Sequence, residues 1–186
     1  MTPLVQNVTD IFSFGILVLD VLAVVLFFIL ITPLKKHGIG KYIADFFGEL
    51  AIFLSFLVAF AATAGSLFYS EVAGFQPCVL CWWQRVFLYP QTILLFTAFI
   101  KKDENMRLHS IILSSVGALI ALYHTFVQFG GESAFPCPAQ GGPSCQIVYF
   151  LQYGYITVPT MSLTVFILLL LFMCAPNPKK REVNEL

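Results

Sequence analysis

Five apolar runs, at about residues 11–34, 46–69, 82–100, 108–129 and 157–174, leave this 186-residue chain few ways to fold. Each is near the roughly 20 residues a helix needs to cross a bilayer, and in lipid a helix satisfies its own backbone hydrogen bonds. The runs use up most of the chain, so no separate soluble domain fits beside them. Charged residues make up 11% of the sequence, less than half the roughly 25% of ordinary soluble domains. The expectation is one all-α integral membrane domain with five spans. No internal repeat or low-complexity segment interrupts it. The net charge of zero carries no information, because what counts is the side of the bilayer on which each charge falls.

Lys35, Lys36 and Lys41 lie between the first two runs, Lys101, Lys102 and Arg107 between the third and fourth, and Lys179, Lys180 and Arg181 in the tail. Nine of the ten basic residues thus share one side. The positive-inside rule makes that side the cytoplasm, with the N-terminus out and the C-terminus in. The first ten residues hold no Lys or Arg, which argues against a cleavable signal peptide with a basic leader. The tenth basic residue, Arg85, falls about one turn inside the third run, where a charge costs roughly 2.5–3.5 kcal/mol on insertion scales. Either it snorkels to the headgroups or it has a partner.

On this topology the two outer loops, about 70–81 and 130–156, carry four of the five cysteines: Cys78 and Cys81, then Cys137 and Cys145. The exported side is where disulfides persist. Cys174 ends the last run on the other side and reads as a small apolar filler. Three readings of the outer four compete. Two structural disulfides would staple the loops. A zinc shell needs four such ligands, but the C-x7-C spacing of the second pair, with Pro136, Pro138, Pro143 and Gly141-Gly142 beside it, is looser than zinc knuckles use. The third reading is redox chemistry, since Cys-x-x-Cys is the dithiol that helix N-termini and nearby cations activate.

The surroundings of the first pair favour the third reading. Pro77 suits an extended approach, and Cys81 falls in the first turn of the third helix, where free N–H groups and the helix dipole favour an anion. Arg85, four residues on, lies one turn below on the same face. There a guanidinium stabilises a thiolate and offers hydrogen bonds to an oxygen-bearing cofactor. His124, near the end of the fourth run, reaches a depth of about 7 Å against about 6 Å for Arg85. Gln128, one turn above His124, can line the same pocket. A lone histidine is more often a packing residue, and Trp82, Trp83, Phe87 and Tyr89 are what bilayer interfaces ordinarily collect, so neither decides the matter alone. Electrons from a dithiol need an acceptor. The chain has no G-x-G-x-x-G for a dinucleotide and no C-x-x-C-H for covalent haem, because Trp82 follows Cys81. A flat lipophilic quinone suits a membrane-level site of this kind.

The segments "SLFYSEVAGFQPCVLCWWQRVFLYP" (66–90), "YHTFVQ" (123–128), the cysteines of 136–145 and "YGYITVPTMSLTVF" (153–166) resemble the DsbB/BdbC family of quinone-dependent disulfide-bond oxidoreductases, in its BdbC-like branch. The resemblance covers about residues 46–174, in the family's order. It implies a four-helix membrane bundle in the bacterial cytoplasmic membrane, with its cysteines on the extracytoplasmic face. Such a bundle reoxidises an exported thioredoxin-fold thiol oxidase of the DsbA/BdbD kind and passes the electrons to a quinone, ubiquinone or menaquinone. By position, Cys78 and Cys81 look like the quinone-coupled pair, with Cys81 as the thiolate at the ring. Arg85 and His124 look like the quinone-pocket residues. Cys137 and Cys145 look like the pair that exchanges with the partner, on a Gly/Pro-rich loop able to present a sulfur. Residues 146–156 would lie flat at the interface as an aromatic anchor. Neither a metal nor a nucleic-acid partner is expected.

The chain departs from that family plan by an added N-terminal span. Residues 1–41 form this helix and its cytoplasmic loop, and 42–186 the four-helix redox domain. Asp20 inside the added span is an intramembrane acid, expected to face a polar neighbour. Ala61-x-x-x-Gly65 and Gly117-x-x-x-Ala121 would let helix backbones approach. Two other functions stay open on the residues alone. One is an enzyme similar to vitamin K epoxide reductase, although its Cys-x-x-Cys belongs near the end of the bundle. The other is a non-enzymatic scaffold with structural disulfides.

Overall fold

The structure is a computed structural model that describes residues 2–33, 38–133, 137 and 142–177. Lys35, Lys36, Lys179, Lys180, Arg181, Pro136, Pro138 and Gly141, which figure in the expectations above, lie outside the described residues. Among the described residues there are six α-helices: α1 (Pro3–Ile31), α2 (Gly38–Glu49), α3 (Ala51–Leu67), α4 (Val79–Lys101), α5 (Met106–Gln128) and α6 (Val158–Cys174). A one-turn π-helical extension, Phe68–Val72, prolongs α3.

Helix α1 starts where its sequence favours a start. Thr2 caps it by accepting from the Val5 amide at 3.4 Å, and Pro3 occupies the first turn, where its missing N–H costs nothing. At 29 residues it runs about 43 Å. It ends at Thr32, the residue before Pro33, which cannot easily stay helical. Its buried face, Val5, Thr9, Ser13, Ile16, Ala23, Leu26 and Ile29, keeps helical spacing. Its other faces expose Phe14, Val18, Val21 and Phe28. Large apolar side chains standing outward like this belong against lipid.

Helices α3, α4, α5 and α6 form a ring in which each packs on the next and α6 closes back on α3, while α1 lies outside against α6. The bundle centre holds Leu88, Leu95, Ala121, Val165, Phe166 and Leu169. Helices α1, α3 with its extension, and α5 are long and apolar enough to cross a bilayer, and α6 is a shorter apolar helix of 17 residues. Helix α4 has the length, at 23 residues, but carries Gln84, Arg85 and Gln91. Gln91 donates through its amide nitrogen to the Ser110 and Ser114 hydroxyls, each at 2.7 Å, while its buried Oε1 has no partner among the described residues.

Three expectations need correction. The second apolar run is broken, since Leu50 leaves helical geometry (φ −94°, ψ 6°), so α3 with its extension covers 51–72 while 46–49 belong to α2. The break is held by Arg107, whose guanidinium donates to the carbonyls of Gly48, Ala175 (3.0 Å) and Met173 (3.5 Å). One cation therefore caps the C-terminal ends of both α2 and α6. The small residues do not bring backbones together either: Gly117 receives the ring of Phe166, and a Cβ at Gly65 would meet the Phe12 ring at 3.4 Å. Cys174 fills nothing. It is exposed, because the buried arc of α6 runs through Leu168, Leu169, Phe172 and Met173 and leaves it outside. Residues 146–156 are anchored on the protein as well as exposed at its surface. Tyr149 stacks on Phe75 with centroids 4.3 Å apart, and Phe150 packs on Tyr69 at 5.5 Å, while Val148, Leu151 and Tyr153 stay exposed.

Asp20 does face polar neighbours. It accepts from Thr164 at 2.6 Å and from Tyr155 at 2.7 Å. Asp10 accepts from Gln152 at 2.9 Å. Between these two ties the chain reverses through Tyr153 (φ 50°) and Gly154 (φ 79°), and Gln152 pairs with Ile156. Gly154 suits a positive φ that most residues avoid.

Candidate functional site

The cysteine end of the bundle gathers the predicted residues around His124. Cys78 is the extended residue before α4 (φ −73°, ψ 173°), and the Trp82 amide donates to its carbonyl at 3.1 Å. That places Cys81 in the first turn, as its spacing requires. The two Sγ atoms are 3.2 Å apart and both thiols are free, whereas Cys137 and Cys145 form a disulfide with Cα atoms 5.8 Å apart. The bonded pair cannot ligate a metal, so a four-cysteine zinc shell is ruled out in this arrangement.

His124, 2% exposed, links the two pairs. Its Nε2 lies 3.5 Å from Cys78 Sγ and 3.2 Å from the carbonyl oxygen of Cys145. A carbonyl only accepts, so Nε2 carries the proton, and Nδ1 is left to accept from Gln84 Nε2 at 3.0 Å. This fixes the tautomer of the ring. Cys78, Cys81 and His124 have donor atoms within 4.8 Å of one another, a ligand set of the kind metals use. Both imidazole nitrogens are already engaged, however. Cys78 sits outside α4, and its thiol is held well below the ordinary thiol range. The hydrogen bond with Cys81 is the largest cause and His124 adds to it, against the opposing effect of burial. Cys78 and Cys145 are 5% and 1% exposed and share one buried cluster with Val127 and Leu80, while Cys137 is only half-buried.

Arg85 does not touch His124. Its Nε donates to Ser66 Oγ at 3.0 Å and its Nη2 to the Ser66 carbonyl at 3.1 Å. Tyr89 also donates to Ser66 Oγ, at 3.1 Å. The guanidinium lies over Trp82, 5.1 Å from the ring centroid. No carboxylate pairs with Arg85 among the described residues. Two of its five N–H donors are used in this way, and three remain. Gln128 donates to the Ile147 carbonyl at 3.0 Å, and its buried Oε1 has no partner among the described residues.

Cys78, Cys81, Arg85, His124 and Gln128 all line one cavity of about 420 Å³. That size lies in the roughly 300–1,000 Å³ range of small-molecule sites. Its polar end holds unspent donors on Arg85 and an unspent acceptor on Gln128. Away from that end the wall is mostly hydrocarbon, supplied largely by α1, α3 and α6. An amphiphilic ring with carbonyl oxygens and an apolar tail fits that distribution. Sequence reading missed Gln84 and Ser66. Gln84 was within reach, being buried three residues after Cys81 on the same helical face. Ser66 was not, because its role depends on how α3 and α4 align.

Fold and site together define a helical membrane protein built for thiol–disulfide chemistry. A family model described as "Disulfide bond formation protein DsbB" matches residues 48–175. The chain is 41% identical over 129 residues to the SPbeta prophage-derived disulfide bond formation protein B of Bacillus subtilis (strain 168), covering 69% of this chain and 83% of that protein. It is 40% identical over 119 residues to probable disulfide formation protein C 1 of Bacillus anthracis, covering 64% and 86%. With disulfide bond formation protein C of Bacillus subtilis (strain 168) it shares 35% over 133 residues, 70% and 95% of the two chains. No solved structure matches. The chain belongs to the DsbB family of disulfide bond formation proteins. Helix α1 lies outside the matched residues.

Proposed function

We propose that this protein reoxidises an exported thioredoxin-fold thiol oxidase of the DsbA/BdbD kind and delivers the electrons to a membrane quinone, ubiquinone or menaquinone. It does so from five spans in the bacterial cytoplasmic membrane, N-terminus out and C-terminus in. Supporting the orientation, Lys101, Lys102 and Arg107 stand at the end of the bundle opposite Cys78 and His124, and basic residues collect on the cytoplasmic side. The single observation that carries the reading is the position of His124, within 3.5 Å of Cys78 Sγ and 3.2 Å of the Cys145 carbonyl, beside a cavity with a polar head and an apolar body.

Burial orders the steps. The partner's thiolate attacks Cys137, the more accessible sulfur of the loop disulfide, and Cys145 leaves as a thiolate. The partner's second thiol then resolves the mixed disulfide, giving oxidised partner and a loop dithiol. Cys145, buried in the cluster with Cys78, attacks Cys78 of the Cys78–Cys81 disulfide and releases Cys81. Cys137 closes on Cys145, releases Cys78, and leaves the helix pair with two electrons and two protons. That product has the bonding seen here: Cys137–Cys145 joined, Cys78 and Cys81 free. Each hop is a thiolate attack on a disulfide, so its rate follows thiolate fraction and leaving-group acidity. His124 Nε2–H stabilises Cys78 as thiolate, and Gln84 holds the ring in the tautomer that can. Arg85, clamped by Ser66, keeps its remaining N–H groups for a carbonyl oxygen. A bound quinone supplies the two-electron oxidant that returns the helix pair to a disulfide.

Cys81→Ser tests this reading. The purified variant, mixed with reduced partner and quinone, is expected to give no quinone reduction. Wild-type rates in that variant would remove the redox assignment.

A further inference from the structure

We infer that α1, the helix outside the family match, is a specificity element. Its Ile11–Leu19 stretch walls the apolar lobe of the cavity, and Gly15 leaves the room there that a polyisoprenoid tail occupies. This rests on the quinone reading above and adds a role for the extra span.

The cavity does not stop at the sulfur atoms. From Ser66 it continues along α3 through Gly65, Ala62 and Ala61 to Leu57, a drop of about 13 Å at 1.5 Å per residue. Opposite stand Ile11, Phe12, Gly15, Ile16 and Leu19 of α1. Below this level the helices close, since Ala23 and Leu26 of α1 share a core with Ala51, Leu168 and Phe172. The lobe therefore has a floor. Two contacts fix where α1 stands around the lobe: Asp20 pins it to α6 through Thr164, and Phe12 lies beside the Gly65 position of α3 at the top. Tyr69 reaches Thr9 at 3.4 Å on the same side. A hydrocarbon chain is the occupant that such a lining favours, because Ile, Leu, Ala and Gly along it offer a buried polar group no hydrogen bonds.

Gly15 is the position where this can be changed. A Cβ added there meets no atom within 4 Å, so a larger side chain enters free space and not a neighbour. A glycine within a helix also costs stability relative to other residues, so substitution has no folding penalty from the backbone. Without α1, the α3 and α6 faces of the lobe would open to lipid.

The test uses the full chain in lipid nanodiscs and reads binding by quenching of the two tryptophans, Trp82 and Trp83, beside Arg85. Gly15→Leu is expected to weaken a tail-bearing quinone about tenfold more than a tail-free benzoquinone ring. That is the effect of displacing roughly two buried methylene groups. Gly15→Ala should fall between Gly15→Leu and wild type. An equal effect on both ligands, or no effect on either, overturns the inference and leaves the quinone reading standing. If the wild-type protein shows no saturable quenching by either ligand, the quinone reading fails and the role of α1 fails with it.

Discussion

The two cysteine pairs of this protein meet in one buried cluster around His124 and are built in opposite ways. Cys78 and Cys81 are fixed by secondary structure, one just before α4 and the other in its first turn, where the helix end and His124 favour a sulfur anion. Cys137 and Cys145 are joined across a loop and differ in depth, with Cys145 buried against Cys78 and Cys137 nearer solvent. The lesson is a division of labour. The helix pair has its acidity tuned by fixed neighbours, while the loop pair connects an accessible sulfur to an enclosed one.

The largest expected effect separates the two sulfurs of the loop. Cys145→Ser leaves Cys137 as the sulfur a partner can reach. With Cys137 activated as its thionitrobenzoate mixed disulfide, a reduced thioredoxin-fold oxidase lacking its resolving cysteine should displace the thionitrobenzoate and stay joined to Cys137, visible on a non-reducing gel, with turnover lost. Cys137→Ser should lose turnover without trapping the partner. If the buried sulfur did the trapping, the proposed order of steps would be reversed.

The next effect concerns the helix pair. His124→Ala removes the group that joins the pairs, and losses of about 10²-fold in turnover are ordinary for such proton-handling residues. A pH readout separates this from simple misfolding. Cys78 has a lowered pKa, so its thiolate persists as pH falls and is lost only when pH drops through the lowered value. The reduced native state gains stability from that thiolate above the ordinary thiol pKa and loses it on acidification. Alkylation of Cys78 should therefore stay fast below the roughly 8.5 of a free thiol, and its pH midpoint should rise in His124→Ala. An unmoved midpoint would mean His124 acts only in packing. Gln84→Leu should show the same direction more weakly, since it frees the tautomer without removing the ring.

Much of this was legible in the sequence for a physical reason. The Cys-x-x-Cys, the arginine one turn on and the helix start are all local, and helical geometry converts their spacing directly into a face and a depth. His124 was reachable because depth in a membrane can be counted from a span's end. The position of Arg85 against Ser66 was not, since it depends on the sliding register of two antiparallel helices. Nor was the break at Leu50, where Arg107 reaches from α5 to carbonyls of α2 and α6. The small-residue motifs marked where helices are thin, and whether a backbone or a ring fills such a space is decided by the opposite helix, here by Phe166 and Phe12.

The smallest effect tests where the loop pair's support ends. Tyr155 donates to Asp20 at 2.7 Å, which ties the segment following Cys145 to α1. Being a donor to a carboxylate, the phenol keeps its proton more firmly. The Asp20 hydrogen bond is the first cause, and the Tyr155 pKa is raised to about 12. A raised value means that the stabilisation is complete below the usual tyrosine pKa and is lost as pH climbs through about 12. Tyr155→Phe removes one hydrogen bond to a charged acceptor, worth roughly 1.5–3 kcal/mol when shielded and less at a site this exposed. A fall in Tm of a few degrees is expected, with faster amide exchange over residues 146–156. Activity in the partner assay should change little, because neither cysteine pair touches Tyr155. If turnover fell as far as in His124→Ala, the division between a tuned helix pair and a loop pair supported from α1 would have to be redrawn, with α1 acting on the chemistry itself.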